Sequence, residues 1–452
     1  MSRWKSLQAS RPRTSTAGRS WPLLLRPGLY IKRWILAILA GVLLAALGID
    51  LGVQALLRPD RPWPGLLERW GLLFLGLLLA VGGLVGVAWA VLELSRSMGA
   101  ALLRQDRMPP RRELVQALAV RQAQQRRRSG PKIVVIGGGT GMPSLLRGLR
   151  EYTDHLTAVV TVADDGGSSG RLRRDMHVLP PGDFRNNLIA LSEAEGLMAQ
   201  LLQYRFAEAD GLGGHNFGNI FITAMAAITG SFEEGLAASS RVLAVRGRIL
   251  PSTLDPVVLC AEVRCQDGPE ERWLFVRGES RIPQAGGQIV RVHLEPEDAW
   301  AYPDTIRAIL EADLILAAPG SFFTSLMPNL LVPRIQAAIR AAPGFRLYVC
   351  NLTTQPGETD GFDVSEHMRQ LRRHVGDAFT AVLANDHCPE HVALPPGIQW
   401  VRPPQEQRSL PYHLFTADLV DPAHPLRHDP HKVAAAIMAL YAEARHTAEP
   451  TG

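Results

Sequence analysis

The sequence predicts an α/β protein with a mostly parallel sheet, preceded by two transmembrane helices. Three observations predict it. Two apolar runs within residues 34–94 are each long enough for a bilayer. From Lys132 onward, short β-branched runs alternate with helix-forming segments, the pattern of a parallel sheet wound with helices. Several of those runs end in Gly, Asp or Asn, as strands do when their carboxyl ends carry ligand loops.

The amino end comes first. Residues 1–33 hold eight Lys/Arg and no acid. Trp34–Leu57 is apolar except for Asp50 and Gln54, and Gly71–Leu92 is apolar throughout. A helix of about 22 residues spans roughly 33 Å, enough for the hydrocarbon core. Arg58-Pro-Asp-Arg-Pro-Trp-Pro64 lies between them and cannot continue a helix. Residues 34–94 therefore read as a helical hairpin. Arginines return after the second run, from Arg96 to Arg128, so the positive-inside rule places both termini in the cytoplasm. A cleaved signal peptide fits less well, because the charged region is long and a second apolar run follows.

Residues 95–130 are Arg- and Gln-rich and read as a juxtamembrane linker, with Glu113–Arg128 a candidate exposed helix. The net charge of +5 arises largely at the amino end, which points to topology and anionic lipid. No basic and aromatic stripe follows, so no nucleic-acid module is expected. The four cysteines form no C-x-x-C pair and read as reduced thiols.

In the third region, strands are expected at Ile133–Ile136, Thr157–Val162, Leu314–Ala318, Leu347–Val349 and Ala381–Ala384. Helices are expected at Met142–Glu151, Asn219–Thr229 and Pro303–Ala312. Residues 257–295 differ: Val257–Val263 and Trp273–Val276 suggest a β excursion.

The candidate site begins at Ile136-Gly-Gly-Gly-Thr-Gly141, a strand end, a tight turn and a helix start. Gly138, Gly139, Thr140 and Gly141 let backbone N–H groups approach an anion, most naturally a phosphate. It is neither a P-loop nor a clean dinucleotide fingerprint, which argues against a nicotinamide oxidoreductase. Next comes Asp164-Asp-Gly-Gly-Ser-Ser169. Asp164 and Asp165 could share a divalent cation, while Gly166, Gly167, Ser168 and Ser169 form a phosphate nest. The bland alternative is a loop with Asp caps.

Asp183, Arg185 and Asn186 follow two prolines, with Arg suited to phosphate and Asp183 equally able to cap a helix. His215, Asn216 and Asn219 precede an apolar helix, without a second His at zinc spacing. Gly320 and Ser321, then Asn351, end later strands, and Arg427 precedes the last helix. Several strands delivering polar loops to one edge is the geometry of a ligand site.

Residues 132–443 resemble the YvcK-type gluconeogenesis factors, relatives of 2-phospho-L-lactate transferase. The matching segments are Ile136–Gly141, Val160–Arg171, Leu179–Asp183 with Arg185-Asn186, Gly214-His215 and Gly218-Asn219. Val245–Gly247, Ala301–Pro303, Pro319–Ser321, Asn329–Pro333, Asn351–Asp360 and Arg427–Asp429 follow in the same order. The resemblance implies a three-layer, Rossmann-like α/β domain over residues 131–446. It implies binding of UDP-N-acetylglucosamine or a similar nucleotide sugar, with Arg427 at the sugar-nucleotide site. It also implies a role in cell shape and peptidoglycan synthesis through cell-wall proteins, and leaves homo-oligomers open. A transferase using Asp164, Asp165 and Mg²⁺ is the alternative that the transferase relatives imply. The amino-terminal hairpin departs from the usual family pattern and implies a membrane location, with the α/β domain in the cytoplasm.

Overall fold

The structure is a computed structural model that describes residues 31–57, 66–105, 127–193, 196–207, 211–267, 270–389, 392–406 and 410–448. The basic segment 1–30, the proline-rich loop 58–65 and most of the expected helix Glu113–Arg128 lie outside them. The chain divides into two compact units, Met1–Ala119 and Val120–Gly452.

The first unit pairs helix α1 (Ile31–Leu57) with α2 (Leu66–Gln105). Each contains a stretch long and apolar enough to cross a membrane, Leu36–Gln54 and Trp70–Glu93. At 1.5 Å per residue these are about 29 and 36 Å long. Helix α2 continues beyond its apolar run, so residues 95–105 of the expected linker are helical. Glycine governs the packing. A Cβ at Gly48 would strike the backbone of Gly76 and Ala80, and one at Gly83 would meet the carbonyl oxygen of Gly41 and the backbone of Ala45. The two contact levels lie seven residues apart on each helix, two turns, so both stay on one face. With no apolar driving force in lipid, such close backbone approach supplies the van der Waals contact that holds helices together.

The second unit is a seven-stranded sheet, all parallel. Its strands are β1 (Ile133–Gly137), β2 (Leu156–Val160), β3 (Arg248–Pro251), β7 (Leu314–Ala317), β8 (Phe345–Val349), β9 (Ala381–Asn385) and β10 (His413–Ala417). The spatial order is β10-β9-β8-β7-β1-β2-β3. Strands β1, β2, β7 and β9 are buried along their whole length. This is why they read as continuous apolar runs: helices cover both faces of a parallel sheet. Every expected strand is present. Strands β3 and β10 were not expected; both lie at sheet edges, β3 only four residues long and β10 without a fully buried residue.

The expected β excursion is a separate antiparallel sheet of order β5-β4-β6, built from β4 (Val258–Asp267), β5 (Glu270–Arg277) and β6 (Gln288–Glu295). Helix α3 (Gly141–Leu149) buries Met142, Leu145, Leu146 and Leu149 against the core. It leaves its amino end at the carboxyl edge of the sheet, beside the loop that follows β7.

Candidate functional site

Strands β1 and β7 are hydrogen-bonded neighbours, but the chain leaves them towards opposite halves of the sheet. Such a reversal opens a crevice at the strand carboxyl ends. The glycine turn 138–141 forms one wall and the loop Pro319–Ser321 the other. The walls touch: a Cβ at Gly141 would overlap the carbonyl oxygen of Pro319. Gly139 adopts φ +65° and Gly320 φ +147°, where side chains are strained.

Asp183 locks the turn from below. It lies in α4, Gly182–Leu191, whose N-cap is Pro181 with no side-chain cap bond. Its carboxylate does not cap its own helix; it accepts the Gly139 N–H at 2.8 Å. Burial pushes this carboxyl up to about 6, opposed by the Gly139 N–H, with Asp164 adding to the rise and Arg185 opposing it. Asn351 clasps the other wall. Its amide accepts the Gly320 N–H at 2.9 Å and donates to the Gly320 carbonyl at 2.8 Å. Gln355 extends this clasp by donating to the Ser321 hydroxyl at 3.2 Å.

The result is an open crevice of about 530 Å³. Thr140, Gly141, Gly320 and Asn351 line it, with Arg185, Asn186, Asn216 and Arg427. Thr140 occupies the N-cap of α3 but makes no side-chain cap bond, so its hydroxyl is not committed to the helix. Arg147 and Arg205 also line the crevice, so four guanidinium groups share one concavity. Burial lowers the pKa of Arg147 first, then repulsion from Arg150 and Arg427. Arg185 is lowered by burial and by Arg205. Both remain cations at any physiological pH. Arg185 donates to Asn219 at 2.8 Å and to Asn186 at 2.9 Å, and its buried Nε has no partner. A multiply charged anion would satisfy that donor and relieve the mutual repulsion.

A second group of sequence-named residues meets this crevice through Asn216. Ser168 ties the region together: its hydroxyl meets the His215 ring at 3.3 Å and accepts from the Asn216 N–H at 3.2 Å and the Asn219 amide at 3.1 Å. Ser169 is a more distant acceptor for Asn219, at 3.5 Å. His215 is a strut in this network, and burial and Arg171 lower its pKa.

Asp164 accepts the Gly166 N–H at 2.9 Å, and Gly167 adopts φ +47° at the following helix start. Asp165 accepts the Ser280 N–H at 2.9 Å and borders a different open groove of about 1000 Å³. Burial raises the Asp164 carboxyl, with Asp165 adding repulsion, against hydrogen bonds from Gly166 and Ser169. A Mg²⁺ ion takes one or two carboxylates and fills its other positions with phosphate oxygens and water. Asp164 takes hydrogen bonds from the Gly166 N–H and from Ser169, and Asp165 commits one oxygen to the Ser280 N–H; the lone pairs left on these carboxylates fit that sparse demand.

Three contributors carried no usable signal in the sequence. Arg147 reads as an ordinary helix residue and Arg205 as a loop residue. Glu279 lies more than a hundred residues from the paired aspartates in the chain. Yet burial and then repulsion from Asp164 and Asp165 push its carboxyl up to about 8, against a Thr324 hydrogen bond.

Comparison with known proteins agrees with this architecture. The family described as 2-phospho-L-lactate transferase CofD matches residues 133–397. A provisionally named gluconeogenesis factor of Nostoc sp. (strain PCC 7120) is 44% identical over 454 residues, spanning 97% of this chain and 96% of its own. The gluconeogenesis factor of Bacillus subtilis (strain 168) is 42% identical over 320 residues, spanning 69% of this chain and 99% of its own. The crystal structure of a UPF0052-family protein from Bacillus halodurans superposes with a TM-score of 0.62 at 40% identity, over 68% of this chain and 99% of that one. The parallel sheet, the crevice at its reversal and these matches together establish that the chain belongs to the CofD family and is related to the gluconeogenesis factors.

Proposed function

We propose that this protein is a membrane-tethered binding regulator that holds a nucleotide sugar of the UDP-N-acetylglucosamine kind. In this reading the diphosphate lies against the glycine turn and the sugar nucleotide reaches Arg427. Through partner proteins of the cell-wall machinery, the bound state adjusts cell shape during gluconeogenic growth. The observation that carries the reading is the crevice itself. Four arginines and the free amino end of α3 converge on one open cavity at the sheet's reversal. Its volume lies within the roughly 300–1,000 Å³ of small-molecule sites. The two apolar helices of the first unit supply the tether, with both ends cytoplasmic by the arginine distribution. The gluconeogenesis-factor names of the relatives support the physiological setting.

The test is a calorimetric titration of residues 120–452 with UDP-N-acetylglucosamine, with and without Mg²⁺, followed by an assay for released UDP. Saturable binding with intact ligand is expected. Absence of binding under both conditions overturns the ligand.

A second reading follows from the acids. Asp164, Asp165 and Glu279 repel one another, and Asp164 also repels the Asp183 carboxylate that holds the glycine turn, as groups prepared for a cation or proton do. In this reading the protein is a phospholactyl-type transferase, and Asp164 and Asp165 hold Mg²⁺. The ion would neutralise charge on a nucleotide diphosphate donor. Arg185 and the 139–141 turn orient that donor, and Glu279 holds a proton. UDP release in the same titration, abolished by Asp164→Asn, selects this reading over a pure sensor.

A further inference from the structure

The small antiparallel sheet carries another cluster of metal-ligating side chains. Cys260 on β4 pairs with His293 on β6, and Glu295 follows two residues later. Alternation along the strands puts all three on one face, while Leu259, Ala261, Val292 and Leu294 enter the core from the other. The cysteine Sγ, a ring nitrogen of the histidine and a carboxylate oxygen all lie within 4.8 Å of one another. Among the described residues this is the one trio of His, Cys or acidic side chains so arranged. Cys260 is fully buried, whereas His293 and Glu295 are half-buried.

We propose that Cys260, His293 and Glu295 form a site for a thiophilic divalent ion of the Zn²⁺ class. Thiolate, imidazole and carboxylate are the donors that Zn²⁺ accepts, and three of them leave a fourth position for water. Bond lengths of about 2.0–2.3 Å in a tetrahedron place the donors roughly 3.3–3.7 Å apart. With the donors within 4.8 Å of one another, at most about 1.5 Å has to be closed, and His293 and Glu295 have the freedom to do so.

The surroundings are compatible. The His293 ring makes no hydrogen bond among the described residues; it lies against Phe275 with centroids 5.7 Å apart. Arg277 donates to one Glu295 oxygen at 2.7 Å. A carboxylate has lone pairs on both oxygens, so Arg277 can hold one while the other meets the ion, as outer partners of metal sites do. The ion would pin β4 to β6 across their ladder. This site shares no residue with the crevice, so it stands whether or not a nucleotide sugar binds there.

Co²⁺ is the probe. The full chain, purified in detergent and stripped with a chelator, is titrated with Co²⁺ and then with Zn²⁺. The expected result is one ion per chain with a thiolate-to-cobalt charge-transfer absorption that Zn²⁺ removes. Cys260→Ser abolishes the absorption, and Cys265→Ser leaves it unchanged. Because Cys260 is buried, His293→Gln and Glu295→Gln provide variants at half-buried positions, with folding checked by circular dichroism. Each weakens binding by at least about tenfold, the lower bound seen even for outer partners. No charge-transfer band, a band that survives Cys260→Ser, or unchanged affinity in both folded His293 and Glu295 variants overturns the site.

Discussion

Glycine does different work in the two units of this protein. In the helical hairpin, Gly41, Gly48, Gly76 and Gly83 bring one backbone against another, and the contact is van der Waals packing alone. In the α/β unit, Gly138, Gly139 and Gly141 also permit close approach, but the neighbours are polar. A Cβ at Gly138 would strike the Asp183 carboxylate, and Gly139 donates its N–H to that same group. Each unit therefore responds to change in its own way. Packing between helices can slide or tilt to admit a methyl group. A turn held by a buried carboxylate on one side and a backbone carbonyl on the other has nowhere to go.

That contrast is open to direct attack. The largest effect is expected at Gly141→Ala, whose methyl meets the fixed backbone of Pro319. A loss of about 3 kcal/mol is expected in urea denaturation of residues 120–452. Gly48→Leu in the hairpin should cost less, about 1–3 kcal/mol, because the helices can separate. Slower migration of residues 31–105 in detergent electrophoresis would report it. Equal sensitivity of the two sites would break the comparison.

Arg427→Ala sharpens it from the ligand side. Removing one charge-assisted contact of about 1.5–3 kcal/mol should weaken UDP-N-acetylglucosamine binding roughly 10- to 150-fold, measured by calorimetry, with folding unchanged.

A smaller effect is expected from Glu279, and it depends on pH. Its carboxyl rises from an ordinary 4.5 to about 8 in the folded protein. The native state therefore holds more protons than the unfolded state between these values, so stability falls as pH rises through that window. Glu279→Gln should remove the fall and stabilise residues 120–452 by about 1 kcal/mol or more at pH 8.5, with little difference at pH 4. Parallel pH profiles of the two proteins would refute the buried charge.

The smallest change belongs to Lys132→Ala. Its pair with Glu311, at 3.1 Å, leaves both side chains more than half exposed, so a shift under about 0.5 kcal/mol is expected by the same denaturation.

The family resemblance was also legible, because short motifs such as Gly138–Gly141 and Asp164–Ser169 keep their order along the chain. The edge strands β3 and β10 were not legible, because β3 is only four residues long and β10, with no fully buried residue, lacks the continuous apolar run that marks buried strands. Nor was the role of Asp183: a carboxylate at a helix start reads as a cap, and only the approach of the glycine turn gives it another donor.

The signals readable along the chain were local and periodic. Apolar runs of bilayer length defined the hairpin helices, and β-branched runs defined the central strands, because burial on both sides demands apolar residues without interruption. Convergence of distant residues came only with the fold. Arg147 and Arg205 join Arg185 and Arg427 around one crevice, and Glu279 reaches the paired aspartates from more than a hundred residues away. Parallel strand order brought those residues together, and strand order follows from how helices pack over the sheet, which no window along the chain contains.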